Sequence, residues 1–428
     1  MLYTFFISTL SLFILSIPVA AAIFGVGLLL DYFYSPMDVF RAAGEIAWTA
    51  SSNTLLSSIP FFILMGELLL RAGIAGRMYE AINHWIGWLP GGLMHSNIGA
   101  STMFAATSGS SVATAATIST VALPQMESRG YNPRLFMGSI AAGGTIGILI
   151  PPSIILIVYG ALTQTSIPQL YLAGFLPGFL LAGCFSAVVF VICLVSPRFS
   201  GRRDRSSWRD RIRSLPALLP PLFIFLIVIG SIYAGVATPT EAASMGVVAV
   251  LILAASVGRL GLDMVLESIE GTLKITAMIM LIVIAASFLN FVLTMVGFSQ
   301  SLTDAIRQTG LTPYQTLFLI VLFYLILGCF MESMAMMVTT VPIVVPVIVQ
   351  LGFDPIWFGI IVILMVEMAL ITPPVGMNLY IVQGVRGAGR IQDVMIGVAP
   401  FVVAMAVVLL LTIAFPQIAL WLPSAMAN

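Results

Sequence analysis

Gly143-Gly144-Thr145-Ile146-Gly147-Ile148-Leu149-Ile150-Pro151-Pro152-Ser153 is an apolar helical stretch that runs into two successive prolines. Each proline lacks an amide hydrogen and clashes with the preceding turn. The residue before each is driven out of helical geometry. The helix must therefore unwind here and release carbonyl oxygens. The same event recurs 222 residues on, at Ala369-Leu370-Ile371-Thr372-Pro373-Pro374-Val375-Gly376-Met377-Asn378. At that spacing Gly130-Tyr131-Asn132-Pro133-Arg134-Leu135-Phe136 matches Gly352-Phe353-Asp354-Pro355-Ile356-Trp357-Phe358, Ser111 meets Ser333 and Pro124 meets Pro346. One position further, Pro90 meets Pro313 and Gly174-Phe175-Leu176-Pro177 meets Gly397-Val398-Ala399-Pro400. Four prolines coincide at one spacing, where composition alone predicts roughly one. Paired apolar segments with matching Pro/Gly interruptions point to a transporter-like fold of two related halves.

The surrounding composition fits. The chain is 60% hydrophobic and 8% charged, with a mean hydropathy of +1.11, against about 25% charged residues in a soluble domain. It reads as an all-α polytopic membrane protein. Apolar runs place spans near 4–30, 52–70, 134–150, 171–195, 216–236, 240–257, 274–296, 315–330, 356–371 and 398–422. Residues 4–30 read as a retained span, since no Lys or Arg precedes Arg41 and a cleavable leader needs a basic start. Residues 37–50, with Arg41 and Glu45, read as an amphipathic interfacial helix. Its counterpart surrounds Asp263, Glu267 and Glu270. Cys184, Cys193 and Cys329 have no metal or redox spacing and read as buried small hydrophobes.

Charge is concentrated in one place. Arg198, Arg202, Arg203, Arg205, Arg209, Arg211 and Arg213 stand against Asp204 and Asp210 in a single loop. Short Arg-rich loops stay in the cytoplasm, so the loop reads as topogenic rather than as a nucleic-acid or lipid-headgroup patch. It divides the chain into a first half (1–196), a cytoplasmic linker (197–215) and a second half (216–428). Inverted halves each cross the membrane an odd number of times, which puts both termini outside. His84 and His95, near Trp85, Trp88 and Pro90, read as part of an interfacial aromatic belt. Lys274 reads as a snorkelling lysine.

Two segments are too polar for ordinary spans. Residues 96–125 carry Ser101, Thr102, Thr107, Ser108, Gly109, Ser110, Ser111, Thr114 and Thr117, and residues 328–346 carry Gly328, Glu332, Ser333, Thr339 and Thr340. Both read as re-entrant hairpins whose non-helical tips require a protein or aqueous surround. Beside them lie the breaks at 147–153 and 369–378. Unwound carbonyls and half-helix C-termini favour a cation, half-helix N-termini an anion, and a hard cation such as Na⁺ takes oxygen ligands. Each half can thus build one cation site from a hairpin tip and a double-proline break. Glu332 stands where the first hairpin has Ser110, and a charge at membrane depth is functional by default. Four roles are open to it: substrate-side polar group, cation ligand, proton carrier, or acceptor for hairpin backbone donors. Ser333, Gly376 and Asn378 are further substrate-side candidates. Glu367 reads as bracing the second break. There is no phosphate-binding GxxxxGK[ST] loop and no nucleophile–base constellation, so neither ATP hydrolysis nor catalysis is expected.

These segments resemble the large membrane subunit of tripartite ATP-independent periplasmic (TRAP) transporters, the DctM type, over nearly the whole chain. The carrying residues are Gly143–Ser153, Ser108-Gly109-Ser110-Ser111-Val112-Ala113-Thr114, Thr238-Pro239-Thr240-Glu241-Ala242-Ala243 and Thr372–Asn378. The resemblance implies a Na⁺-coupled importer of a small organic acid, working by an elevator motion in a bacterial or archaeal inner membrane. It implies a periplasmic solute-binding protein and a small four-helix subunit of the DctQ type, expected as a separate chain because no spans precede residue 1. It maps one cation site onto Ser108, Ser110 and Ser111 with Gly147, Ile150 and Pro152. A second maps onto Gly328 with Ala369, Thr372 and Val375. The competing reading is a stand-alone Na⁺-coupled elevator symporter of the divalent-anion class, without a binding protein.

Overall fold

The computed structural model describes residues 1–15, 17–202 and 206–426. Ser16 in the first apolar run, Arg203, Asp204 and Arg205 of the Arg-rich loop, and the last two residues lie outside the described residues. The first half consists of α1 (Leu2–Ile14), α2 (Val19–Tyr34), α3 (Ala43–Ser51), α4 (Ser58–Arg71), α5 (Ile74–Ile86), α6 (Leu93–Ser108), α7 (Ser111–Ser128), α8 (Pro133–Leu149), α9 (Ile154–Thr163) and α10 (Ile167–Val195). The linker holds the short α11 (Trp208–Ser214). The second half consists of α12 (Leu219–Phe225), which runs through a π turn into α13 (Ser231–Tyr233), then α14 (Pro239–Ser256), α15 (Leu262–Met295), α16 (Phe298–Gln308), α17 (Pro313–Gly328), α18 (Ser333–Gln350), α19 (Pro355–Ile371), α20 (Met377–Arg386), α21 (Ile391–Ala414) and α22 (Gln417–Met426).

The repeat is a repeat of helix signals. Gly130 (φ 67°) and Gly352 (φ 88°) take the left-handed geometry that ends a helix. Asn132 then caps α8 through Leu135 N, and Asp354 caps α19 through Ile356 N and Trp357 N. Pro133 and Pro355 follow in the first turn, where a missing N–H costs nothing. The Thr238–Ala243 motif is likewise a helix start. Thr238 and Glu241 form a capping box at α14, and Thr240 Oγ1 donates to the Thr54 carbonyl at 2.9 Å.

α8 and α19 form the centre. Every residue from Leu135 to Leu149 and from Trp357 to Ile371 is buried, as expected of helices surrounded by helices. α8 crosses α21 with backbone in contact. A Cβ on Gly138 would fall onto the Gly397 carbonyl, and one on Gly397 onto the Arg134 carbonyl. Small residues at a crossing permit this approach inside a membrane.

Several expected boundaries change. The stretch 4–30 is two helices, not one. The chain turns back near Pro18, so that Thr4 Oγ1 reaches Tyr34 OH at 2.7 Å. A single proline in an otherwise apolar run carries no polar signal of a turn. The split restores the symmetry between halves. Setting aside the hairpins, the short arms α5 and α16 and the terminal α22, each half holds five helical units among the described residues. They are α1, α2, α3–α4, α8–α9 and α10, and α12–α13, α14, α15, α19–α20 and α21. The segment 315–330 is the first arm of the second hairpin rather than a span. The stretch 398–422 ends as a helix at Ala414, and Pro416 separates it from α22. The amphipathic segment is separate in the first half, where Asn53 turns the chain by accepting from Leu55 N. In the second half it runs into its span as the single 34-residue α15. His95 is not in an aromatic belt. It is buried, contacting Ser186 Oγ at 2.5 Å and the Pro90 carbonyl at 2.8 Å. Lys274 pairs with Glu270 at 2.6 Å on an exposed face.

Candidate functional site

The arms α5 and α16 turn sharply beside the membrane-spanning helices. α4 meets α5 at 74° and α16 meets α17 at 117°. Each arm leads into a hairpin: α6–α7 is a few residues longer than the expected 96–125, and α17–α18 is about twice as long as the expected 328–346, because its whole first arm is apolar. The first tip is Gly109 (φ 61°) and Ser110, whose hydroxyl caps α7 by accepting from Ala113 N at 3.3 Å. The second tip spans Cys329 to Glu332. There the Glu332 carboxylate caps α18, accepting from Met334 N at 2.9 Å and Ala335 N at 3.1 Å. Of the four roles open to Glu332, the geometry displays the last: it does at the second tip what Ser110 does at the first. A Thr340–Tyr324 hydroxyl contact at 2.5 Å ties the arms of the second hairpin.

Opposite each tip lies a double-proline break. α8 ends at Leu149, Ile150 is extended (ψ 123°), and Ser153 caps α9 by accepting from Leu156 N. α8 and α9 meet at 40°. Pro151 and Pro152 have no N–H, so the carbonyls of Gly147 and Ile148, four residues back, receive no helical donor. By the same rule Pro373 and Pro374 release the carbonyls of Ala369 and Leu370. Thr372 N reaches the Ala369 carbonyl only at 3.4 Å. Both Pro–Pro bonds are cis.

Tip and break are pressed together in the first half. A Cβ on Gly109 would stand 2.5 Å from the Pro152 carbonyl, and one on Gly147 3.0 Å from the Ser110 carbonyl and 3.1 Å from Thr114 Oγ1. Thr114 Oγ1 donates to the Ser110 carbonyl at 2.7 Å and lies 3.2 Å from Ser108 Oγ. Ser108, Ser110, Gly147 and Pro152 therefore converge, with only glycines fitting between the two backbones. Ile150 and Ser111 flank them. Thr114 belongs to this cluster, although the sequence marked it only as a polar residue of the hairpin and not as a cation-site residue. A hydroxyl one helical turn beyond the tip serine is the signal that points to it. The donor set is hydroxyls and freed carbonyls, which suits a small hard cation.

In the second half Gly328 packs directly on the Ala369 methyl. Thr372 Oγ1 donates back to the Met368 carbonyl at 2.6 Å, which leaves its lone pairs available. Val375 lies on an exposed turn, and Gly376 (φ 32°) restarts the helix at α20. Among the described residues no side-chain hydrogen bond joins Glu332 or Ser333 to Thr372, Val375 or Gly376. The Ser333 hydroxyl is buried without a partner. Glu367 is fully buried beside the Leu149 backbone, but neither carboxylate oxygen makes a hydrogen bond of good geometry. It does not brace the second break through such a bond. Asn378 lies away from solvent and is bonded to the first hairpin at Ser111.

The sequence profile described as tripartite ATP-independent periplasmic transporter, DctM component, matches residues 6–418. The chain is 35% identical over 402 residues to the C4-dicarboxylate TRAP transporter large permease protein DctM of Pseudomonas aeruginosa, covering 93% of this chain and 92% of the relative. It is 35% identical over 372 residues to the sialic acid TRAP transporter large permease protein SiaM of Vibrio cholerae, covering 87% and 86%. The crystal structure of the Alcanivorax borkumensis YdaH transporter aligns with a TM-score of 0.61 over 96% of this chain and 99% of that one, at 14% identity. That likeness concerns the fold alone.

Proposed function

The chain belongs to the family of DctM components of tripartite ATP-independent periplasmic transporters, and on that premise we propose that it carries a small organic-acid anion into the cell, driven by Na⁺, through an elevator motion of its hairpins and broken helices. As a large permease of this family it is a multi-pass membrane transporter component, not an enzyme. The observation that supports Na⁺ coupling is the first tip-to-break contact. There the Ser110 carbonyl and the Thr114 hydroxyl face Gly147, whose own carbonyl loses its helical donor, while Ser108 Oγ lies beside Thr114 Oγ1 and the Pro152 carbonyl faces Gly109. Ser108, Ser110, Ser111, Gly147, Ile150 and Pro152 form the first proposed Na⁺ site, and Gly328, Ala369, Thr372 and Val375 the second. The Na⁺ ions are co-transported cargo and supply the driving force.

An organic acid is proposed because the two relatives above are named for C4-dicarboxylates and sialic acid, both of which carry carboxylates. The helix N-termini that begin at Ser111 and Met377, just past the first tip and the second break, present first-turn N–H groups of the kind that favour a carboxylate, whereas those of Met334 and Ala335 are taken by Glu332. In this reading a periplasmic binding protein delivers the solute, and a small membrane subunit completes the permease. The Arg-rich loop stays cytoplasmic and both termini face the periplasm.

The test is solute uptake into proteoliposomes holding this chain and the small subunit, with the binding protein outside, with and without an inward Na⁺ gradient. Uptake that requires both the gradient and the binding protein is the expected result. Uptake that survives omission of the binding protein would replace this reading with a stand-alone symporter, and uptake indifferent to Na⁺ would remove the cation sites.

A further inference from the structure

The halves correspond in their helix signals, and one of the places where the correspondence fails links them. Asn378 lies in the first turn of α20, two residues after Gly376, where the chain becomes helical again beyond the second double proline. Its side chain is fully buried. Its amide nitrogen donates to Ser111 Oγ at 2.9 Å and to the Ala141 carbonyl at 3.2 Å. A carbonyl only accepts, so the nitrogen and not the oxygen must face Ala141. Both N–H groups are thereby used. Ser111 opens the second arm of the first hairpin, next to Ser110, whose carbonyl presses on Gly147. A residue of the second break is thus bonded to the first hairpin tip. The mirror-related bond is missing among the described residues. Ser333 occupies the place of Ser111, yet its buried hydroxyl has no partner. The place of Asn378 is taken by Leu156, whose side chain lies against Gly174.

We infer that the Asn378–Ser111 hydrogen bond couples the two cation sites, so that filling the first orders the second. This rests on the proposed reading of the two tip-and-break pairs as Na⁺ sites. A cation held by the first tip fixes Ser108, Ser110 and the start of α7, and with them Ser111 Oγ. A buried amide N–H left without a partner costs its full desolvation penalty. Asn378 therefore stays with Ser111, and α20 is held at its first turn. The Thr372–Gly376 turn is held with it, since Tyr380 OH on α20 donates to the Pro374 carbonyl at 3.1 Å. The ordering cost of the second site is then met before the second ion arrives, which is positive cooperativity without a direct contact between ions. The coupling is reciprocal, so the second ion tightens the first. Through its nitrogen Asn378 acts as a positioning residue, not as a ligand.

The test is the shape of Na⁺ activation of uptake in the reconstituted complex, for the unaltered chain and for Asn378→Leu and Asn378→Ala. The unaltered chain is expected to give a half-saturation Hill coefficient approaching about 2, and both variants one near about 1.2, the value for two independent ions that are both required. A purely structural role would lower the amount or the rate of transporter without changing the curve's shape. A Hill coefficient unchanged in the variants, or one of only about 1.2 in the unaltered chain, overturns the inference and leaves the cation sites standing. Uptake by the unaltered chain that ignores Na⁺ removes the cation sites themselves, so the two failures are told apart.

A second measurement covers variants that do not accumulate. Tyr380 on α20 is half exposed. In a Thr372→Val background with Cys184, Cys193 and Cys329 replaced, Tyr380→Cys is labelled with a maleimide in detergent. Na⁺ acting through the first site is expected to slow labelling severalfold. Labelling indifferent to Na⁺ overturns the coupling.

Discussion

The two double-proline breaks share a sequence pattern and differ in their surroundings. At the first, Ile150, Pro151, Pro152 and Ser153 are all buried under a serine tip. At the second, Thr372 is half buried, and Pro373, Pro374 and Val375 are exposed. The tips follow suit, with Gly109 buried and Phe330 71% exposed. Two backbones close in the first half because glycine stands on both sides of the contact, Gly109 and Gly147. In the second half Ala369 replaces the glycine on the broken helix, and its methyl holds the Gly328 arm at side-chain distance. Duplicated signals thus yield one sealed break and one open break.

The largest expected effect is on accessibility. In a cysteine-free background, Val375→Cys should react with a thiol reagent on the order of 100-fold faster than Ile150→Cys, since reaching Ile150 requires a local opening of a few kcal/mol. Equal rates would show that the breaks do not differ in the resting protein. Next comes the exchange of the residues that distinguish them. Gly147→Ala places a methyl against the Ser110 carbonyl and Thr114 Oγ1, an overpacking worth about 1–3 kcal/mol. It should weaken half-saturating Na⁺ for uptake by about 5- to 150-fold, whereas Ala369→Gly should change it by less than about threefold. If the two changes proved equally mild, the tight contact would not form part of a cation site. A more modest loss than that of Gly147→Ala is expected for Thr372→Val, which removes one oxygen at nearly constant shape. Na⁺ half-saturation should rise by roughly tenfold, the equivalent of one hydrogen-bond-sized interaction, with expression nearly intact. Unchanged Na⁺ activation would remove Thr372 from the second site.

The parts of the fold that were legible in the sequence are those written in local signals. Gly130 with Asn132-Pro133, and Gly352 with Asp354-Pro355, each stop one helix and start the next within a few residues, so the duplication and its spacing could be read without contacts. The hairpins were legible because Ser108–Ser111 and Glu332–Ser333 put polar atoms where an ordinary span has none. Where one apolar residue follows another, composition is silent. The reversal near Pro18 and the division at Pro416 each rest on a lone proline, which is as compatible with a kink as with a turn. The role of Glu332 was open because a carboxylate at depth fits several chemistries, and only the positions of Met334 N and Ala335 N select capping.

The chain's sequence by itself determined the membrane setting, the two related halves, the broken helices and the residue types gathered at each break. Proline's missing N–H, glycine's missing side chain and the cost of bare polar groups in lipid act on any chain that carries them. Tertiary structure alone decided which break is sealed and which is open, that Thr114 joins the first cluster, and that Asn378 of one half is bonded to Ser111 of the other. Those outcomes depend on distances between residues up to 267 positions apart. A single methyl or a single amide, placed by packing, settles them, and no local pattern encodes that placement.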